Sequence, residues 1–66
     1  MNIRVNGRGQ RFEAPLSVLA LLAQTGHADM LVAIARNGDF VPKAQYGETL
    51  LQDGDSIEIV APMQGG

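Results

Sequence analysis

The sequence contains no cysteine and no tryptophan, and only one tyrosine and two phenylalanines occur among its 66 residues. Without cysteine the chain cannot form disulfides, thiolate metal sites, cysteine nucleophiles or cysteine-ligated iron–sulfur clusters. A chain this short hides only about 60% of its unfolded surface, which leaves room for one small core and no deep enzymatic cleft. We therefore expect one domain that folds by packing alone, binds no metal and is not an enzyme.

Positive charge and long apolar runs are also scarce. Five lysines and arginines stand against seven acidic residues, the net charge is −2, and the basic residues are scattered. Nucleic-acid binding requires a concentrated basic surface, so no nucleic-acid partner is expected. The longest apolar runs, 18–23 and 30–35, are far too short to span a membrane. No secretory signal is visible, so we expect no membrane association and a cytoplasmic location.

The first residues predict a β-hairpin. Residues 1–6 alternate between apolar and polar side chains, and residues 6–9 (Asn-Gly-Arg-Gly) tolerate the positive φ of a turn. The returning strand is predicted over residues 10–14, where Phe12 and Ala14 have the same parity. The two strands are expected to share one apolar face.

A helix is predicted over residues 18–24, with Ser17 as its N-cap and Thr25-Gly26 at its C-terminal end. Leu19 and Leu22, together with Val18, are expected to form its buried face, which Leu21 widens. The helix is expected to pack on the strands.

The second half of the chain predicts three more strands. The third covers residues 30–36, with Val32 and Ile34 on one side and Ala33 and Ala35 on the other. An Asn-Gly turn leads to a short fourth strand over 39–41, and a helical turn is weakly indicated near 43–46. An Asp-Gly-Asp turn then precedes a fifth strand over 56–60, in which polar and apolar residues alternate.

The element order is strand, strand, helix, strand, strand, strand. This order predicts an α+β domain in which one helix covers one face of a mixed sheet, with the last strand parallel to the first. Pro62 ends the fifth strand because proline gives no N–H to a ladder. We therefore expect a domain over residues 1–62 and a flexible tail over 63–66.

The tail carries one reactive group, the α-carboxylate of Gly66, which is ionised at neutral pH because its ordinary pKa is about 3.5. Gly65 and Gly66 have no Cβ, so they can enter a narrow channel of another protein. The chain contains no Gly-rich phosphate loop and no nucleophile–base pair of its own.

Taken together, these features resemble the ThiS family of sulfur carrier proteins of thiamine biosynthesis. The resemblance covers essentially the whole chain and rests on the element order, on residues 36–43 (Arg-Asn-Gly-Asp-Phe-Val-Pro-Lys), on residues 53–59 (Asp-Gly-Asp-Ser-Ile-Glu-Ile) and on the final Gly65-Gly66. It implies the ubiquitin-like β-grasp fold.

The resemblance also implies a function and partners. A ThiF-like adenylating enzyme, using ATP and magnesium, would activate the carboxylate of Gly66, and a sulfur donor protein would convert it to a thiocarboxylate. A ThiG-like thiazole synthase would then take the sulfur. Gly65 would keep the tail slim, and no cofactor would be bound by the chain itself. The alternatives are a small subunit of molybdopterin synthase, a ubiquitin-like modifier, or an interaction module with an inert tail.

A tail alone binds weakly, because ordering four residues costs on the order of 4–8 kcal/mol of backbone entropy. A docking face is therefore expected beside the tail. If Ile57 and Ile59 face the helix, Val60 lies on the opposite face of the sheet, and Arg4 is expected beside it. Phe40 joins this face if Val41 points inward, and Met63, the one large apolar side chain of residues 61–64, is also expected to contact the partner.

Overall fold

A computed structural model of the chain describes residues 1–27 and 31–61. Its elements follow in the order β1 (Asn2–Val5), β2 (Arg8–Arg11), α1 (Val18–Gln24), β3 (Ala33–Arg36), β4 (Asp39–Val41), a short 3-10 helix (Lys43–Gln45) and β5 (Ser56–Val60). The predicted element order is confirmed. The bounds predicted for the third strand are wrong, because β3 begins at Ala33 and neither Leu31 nor Val32 belongs to it. Met30, the domain boundary after residue 62, and the tail residues Met63, Gly65 and Gly66 lie outside the described residues.

The five strands form one mixed sheet in the order β2-β1-β5-β3-β4. Strands β1 and β5 are parallel, and the other neighbouring pairs are antiparallel. The last strand therefore lies in the centre of the sheet, beside and parallel to the first, as the sequence predicts. With α1 packed against the sheet, this is the arrangement of a β-grasp fold.

Both Asn-Gly pairs form tight turns. Asn6 and Asn37 each have a φ of 51°, and the glycines that follow have φ values of 83° and 86°. Positive φ at both central residues is the geometry that joins strands with a right-handed twist through two residues. These turns connect β1 to β2 and β3 to β4.

The prediction for the second strand is wrong in its bounds and in its burial. Val5 pairs directly with Arg8, so the loop has two residues instead of four and β2 begins earlier than predicted. All four residues of β2 are exposed, which suits a polar strand at the edge of a sheet. Ala14 is also exposed, whereas Phe12 is partly buried against the core after the strand has ended.

The helix forms where it is predicted, but its buried face differs. The Ser17 hydroxyl accepts a hydrogen bond from the Ala20 N–H at 3.0 Å, which confirms the N-cap. Val18, Leu21 and Leu22 are buried, at the i, i+3, i+4 spacing of one helix face. Leu19 is 52% exposed, so its predicted burial is wrong. One residue turns a helix by about 100°, which carries Leu19 away from the face led by Val18.

The core lies between α1 and one face of the sheet. It contains the predicted residues Ile3, Val5, Leu22, Ile57 and Ile59. Loop residues that the sequence did not single out also belong to it: Leu16, Tyr46 and Leu51. Within residues 1–27 and 31–61, no helix is long and apolar enough to cross a membrane.

Candidate functional site

The sheet has a second face, which α1 does not cover. Along β5, Ile57 and Ile59 are buried, whereas Glu58 and Val60 are exposed, because successive side chains of a strand point to opposite faces. We call the side that carries Glu58 and Val60 the outer face. This is the face on which the sequence predicted a docking surface.

Part of the outer face is apolar. Exposed fractions are 72% for Leu31, 69% for Phe40 and 58% for Val60, and Ala33 is exposed as well. Val60 pairs with Ala33, and a depression is lined by Leu31, Val32, Ala33 and Val60. We call Leu31, Ala33, Phe40 and Val60 the apolar patch.

Phe40 was expected on the outer face if Val41 points inward. Val41 is buried and Phe40 is exposed on the outer face, so this condition is met. Phe40 pairs with Ala35 on β3, and Ala33 on the same strand pairs with Val60. Phe40 and Val60 therefore lie two strands apart, about 10 Å in the direction across the sheet. The small side chains of two alanines lie between them, which keeps this part of the face shallow.

The predicted place of Arg4 is wrong. Arg4 has Ser56 as its partner on β5, whereas Val60 lies four residues further along that strand. At about 3.3 Å per residue, this offset separates the two positions by roughly 13 Å along the sheet. Arg4 is on the outer face, but it lies beside the start of β5. The parallel pairing of β1 with β5 ends at Val5 and Ile57, so it does not reach Val60.

Leu31 was missed by the sequence analysis, although a signal for it exists. It has the same parity as Ala33 and Ala35, the residues predicted to face away from Val32 and Ile34. Extending that alternation by two residues towards the N-terminus would have placed Leu31 on the outer face beside Val60.

The start of β5 is held by a carboxylate that the sequence indicated only as a turn former. Asp55 Oδ2 accepts hydrogen bonds from Arg36 Nε at 2.9 Å and from the Gln52 N–H at 2.8 Å. Asp55 Oδ1 accepts one from Asn37 Nδ2 at 3.0 Å. Although burial opposes ionisation of Asp55, the hydrogen bonds from Asn37, Gln52 and Arg36 outweigh it and lower the pKa below its ordinary value.

We expect Asp55→Ala to lower the free energy of unfolding at neutral pH by about 2–3 kcal/mol, because it removes three hydrogen bonds to a charged, buried group. A depressed folded-state pKa stabilises the fold fully only above the unfolded value of 3.8, and this contribution is lost as the pH falls through the folded-state pKa. Urea unfolding from pH 7 to pH 2 should therefore show the difference between wild type and variant shrinking below pH 3.8.

Asp53→Ala is the matched control, since Asp53 is exposed and, within the part of the chain that the structure describes, accepts one hydrogen bond, from the Asn2 N–H. A loss as large as that of Asp55→Ala, or a difference that does not change with pH, would contradict the role given to Asp55.

Over residues 1–27 and 31–61, no group of three or more His, Cys, Asp or Glu side chains is arranged to hold a metal ion. What the described part of the site offers is a shallow apolar surface, with Val60 immediately before Ala61. In the sequence, Ala61 leads to the segment that contains Met63, Gly65 and Gly66.

Three relatives are similar in sequence to this chain over its whole length. Thiazole synthase of Paramagnetospirillum magneticum is 41% identical and thiazole synthase of Magnetococcus marinus is 38% identical, each over 66 residues. The chain spans only 20% of the length of these two relatives. Sulfur carrier protein ThiS of Escherichia coli is 32% identical over 66 residues, which are all of both chains.

The fold agrees with solved structures. The crystal structure of the thiamine biosynthesis protein ThiS from Geobacter metallireducens matches with a TM-score of 0.85 and 30% identity, over all of both chains. A solution structure of a thiamine biosynthesis protein from the same organism matches with a TM-score of 0.81 and 30% identity, over 100% of this chain and 88% of the other. The ThiS family profile matches residues 3–66. The chain belongs to the ThiS family.

Proposed function

We propose that this protein is a sulfur carrier of thiamine biosynthesis whose reacting group is the carboxylate of Gly66. The observation that carries the proposal is the match to the sulfur carrier of Escherichia coli, which extends over all of both chains and so includes Gly65 and Gly66. The protein would act as a co-substrate of its partner enzymes and not as a catalyst.

The chemistry needs only a carboxylate at the end of a slim segment. A carboxylate is a poor electrophile, because attack on it adds charge to an anion. One oxygen of Gly66 would attack the α-phosphorus of ATP in a ThiF-like enzyme, and pyrophosphate would leave with the electrons of the broken P–O bond. Attack on the resulting acyl adenylate by a hydrosulfide-level nucleophile would then release AMP and leave a thiocarboxylate, with no change in oxidation state.

The apolar patch would dock the activating enzyme. Its three large side chains are 58–72% exposed, and an apolar cluster of this kind on the sheet marks a surface for a protein partner. Val60 belongs to the patch and is five residues before Gly65 in the sequence. Binding of the patch would therefore bring the start of the tail to the partner. Met63 would add an apolar contact within the tail. Arg4 pairs with Ser56 at the start of β5, so it would lie only at the margin of such an interface.

The sulfur would be delivered to a thiazole synthase. Two relatives named thiazole synthase contain a region similar to this chain within a longer protein, and covalent linkage of two functions is one way to keep them together. The ATP and magnesium would belong to the adenylating enzyme, and a separate donor protein would supply the sulfur.

Release of pyrophosphate tests the first step. A mixture of ThiF-like enzyme, ATP and magnesium should release pyrophosphate only when the chain is added, in an amount that follows the amount of chain. No release above the enzyme alone would contradict the proposal. Release followed by transfer to lysines of other proteins would favour a ubiquitin-like modifier, and transfer to a molybdopterin precursor would favour the molybdopterin-synthase reading.

A further inference from the structure

Strand β5 extends beyond the strand that lies parallel to it. The register of β1 with β5 ends at Val5 and Ile57, and the Asn6 N–H donates to the Ile57 carbonyl at 2.8 Å. Alternate residues of a strand direct their backbone groups to the same side, so Ile59 directs its N–H and C=O to the side where β1 has already turned away. Among residues 1–27 and 31–61, Ile59 therefore has no backbone partner on this side.

The side chain of Asn6 takes the place of that backbone. Its Oδ1 accepts a hydrogen bond from the Ile59 N–H at 2.7 Å, and its Nδ2 donates to the Ile59 carbonyl at 3.2 Å. The primary amide thus pairs with both backbone groups of one residue, a role that in a parallel ladder is divided between two residues of the neighbouring strand. The φ of 51° at Asn6 turns the backbone into the hairpin while the side chain remains beside β5.

The position of the Asn6–Ile59 contact along the chain links it to the proposed function. Ile59 directly precedes Val60 of the apolar patch, and only six residues separate it from Gly66 in the sequence. If the end of β5 left the sheet, Val60 would lose its position in the patch, and the segment that follows would start from a variable point. A partner that holds the patch could then no longer present Gly66 at one fixed distance.

We propose that Asn6 is a positioning residue for the activation of Gly66, because it fixes the end of β5 from which the reacting segment departs. This inference rests on the proposed function. It assigns to the β1–β2 turn a role in presenting the carboxylate, beyond its role in joining two strands.

The chain provides a matched control at the other end of β5. Asn37 has the same φ of 51° in the other Asn-Gly turn, and its Oδ1 accepts a hydrogen bond from the Ser56 N–H at 2.9 Å. Its Nδ2 donates to Asp55. Asn37 therefore anchors the start of the same strand by the same kind of side-chain contact, at Ser56, four residues before Val60. It lines a depression with Phe40 of the apolar patch but has no hydrogen bond to the end of β5 among the described residues.

The test compares Asn6→Gly with Asn37→Gly. Glycine adopts positive φ without strain, so each variant keeps its turn and loses only the side-chain hydrogen bonds. Both variants are expected to melt at a lower temperature than wild type. In adenylation by a ThiF-like enzyme with ATP and magnesium, assayed where all three chains are folded, Asn6→Gly should lower kcat/KM roughly tenfold or more. Asn37→Gly should stay within about twofold of wild type, as expected of a site that does not contact the reaction.

Amide hydrogen exchange provides a readout that does not depend on the enzyme. Exchange at the Ile59 N–H should be faster in Asn6→Gly and unchanged in Asn37→Gly, and exchange at the Ser56 N–H should show the reverse. If Asn6→Gly does not fold, Asn6→Asp serves instead. Aspartate retains an acceptor for the Ile59 N–H but cannot donate to the Ile59 carbonyl, so a loss of kcat/KM in the same direction is expected.

Wild-type kcat/KM in a folded Asn6→Gly or Asn6→Asp chain would overturn the positioning role. An equal loss in Asn37→Gly would overturn it as well, since general loosening of β5 would then be sufficient. If instead the wild-type chain releases no pyrophosphate, the proposed function itself fails, and the positioning role fails with it.

Discussion

A chain that lacks Gly66, or one that carries an extra residue after it, is expected to lose conversion to the thiocarboxylate by at least a factor of about 100. Either change moves the terminal carboxylate by one residue, roughly 3.5 Å along an extended chain. A displacement of only about 1 Å of a reacting group can cost about 100-fold in rate, so the changed chains should be inert on the timescale of the wild-type reaction. Intact-mass spectrometry after incubation with the activating enzyme, ATP, magnesium and a sulfur donor measures the effect.

The thermal midpoint is the control for this experiment, and it should not change. Among the residues that the structure describes, the last member of the buried cluster is Ile59, and we expect a residue at the end of the chain to contribute little to the core. Gly65→Val gives a second comparison, in which a β-branched side chain thickens and stiffens the tail while the carboxylate stays on Gly66. Full conversion of the extended chain would show that the position of the carboxylate does not matter.

Val60→Asp is expected to raise the dissociation constant for the activating enzyme about 30-fold, which corresponds to roughly 2 kcal/mol. The change places a charge in the middle of a surface that would lose its water on binding, without a partner for that charge. Because Val60 is 58% exposed in the free chain, the cost to folding should stay below about 1 kcal/mol. Calorimetric titration gives the affinity, and urea unfolding gives the stability.

Leu50→Asp is the matched variant, because Leu50 is a large apolar residue that is 53% exposed and lies outside the apolar patch. It receives the same new charge at nearly the same exposure, so it should bind the enzyme like wild type. Phe40→Asp should follow Val60→Asp, since both residues belong to the patch. Equal affinities for all the chains would remove the patch from the interface, and a loss confined to Leu50→Asp would place the interface elsewhere.

Local patterns in the sequence were enough to predict most of the fold. The Asn-Gly dipeptides at 6–7 and 37–38 demand positive φ, and Ser17 offers a hydroxyl at the N-terminus of the helix. The alternation of Ile57 and Ile59 with polar neighbours predicted which face of β5 is buried. Each of these signals acts within a few residues, so no knowledge of the tertiary structure is required.

The wrong and the missed predictions have a different cause. They concern features that depend on strand register or on contacts with residues that are distant in the sequence. Leu19 and Leu21 are equally apolar, and only the packing of the helix on the sheet decides that Leu21 is buried. The place of Arg4 follows from where the parallel pairing with β5 begins, which no turn specifies. The sequence indicates Asn6 and Asp55 only as turn residues. The side chain of Asn6 contacts Ile59, 53 residues away in the sequence, and that of Asp55 contacts Arg36, 19 residues away.

The most direct test of the sulfur-carrier proposal is the mass of the chain after reaction. Wild-type chain incubated with a ThiF-like enzyme, ATP, magnesium and a sulfur donor should gain the mass difference of one oxygen replaced by one sulfur. Fragmentation should place the change on the fragment that ends in Gly66. An unchanged mass in the presence of an enzyme that converts the sulfur carrier of Escherichia coli, or a sulfur located elsewhere in the chain, would contradict the proposal.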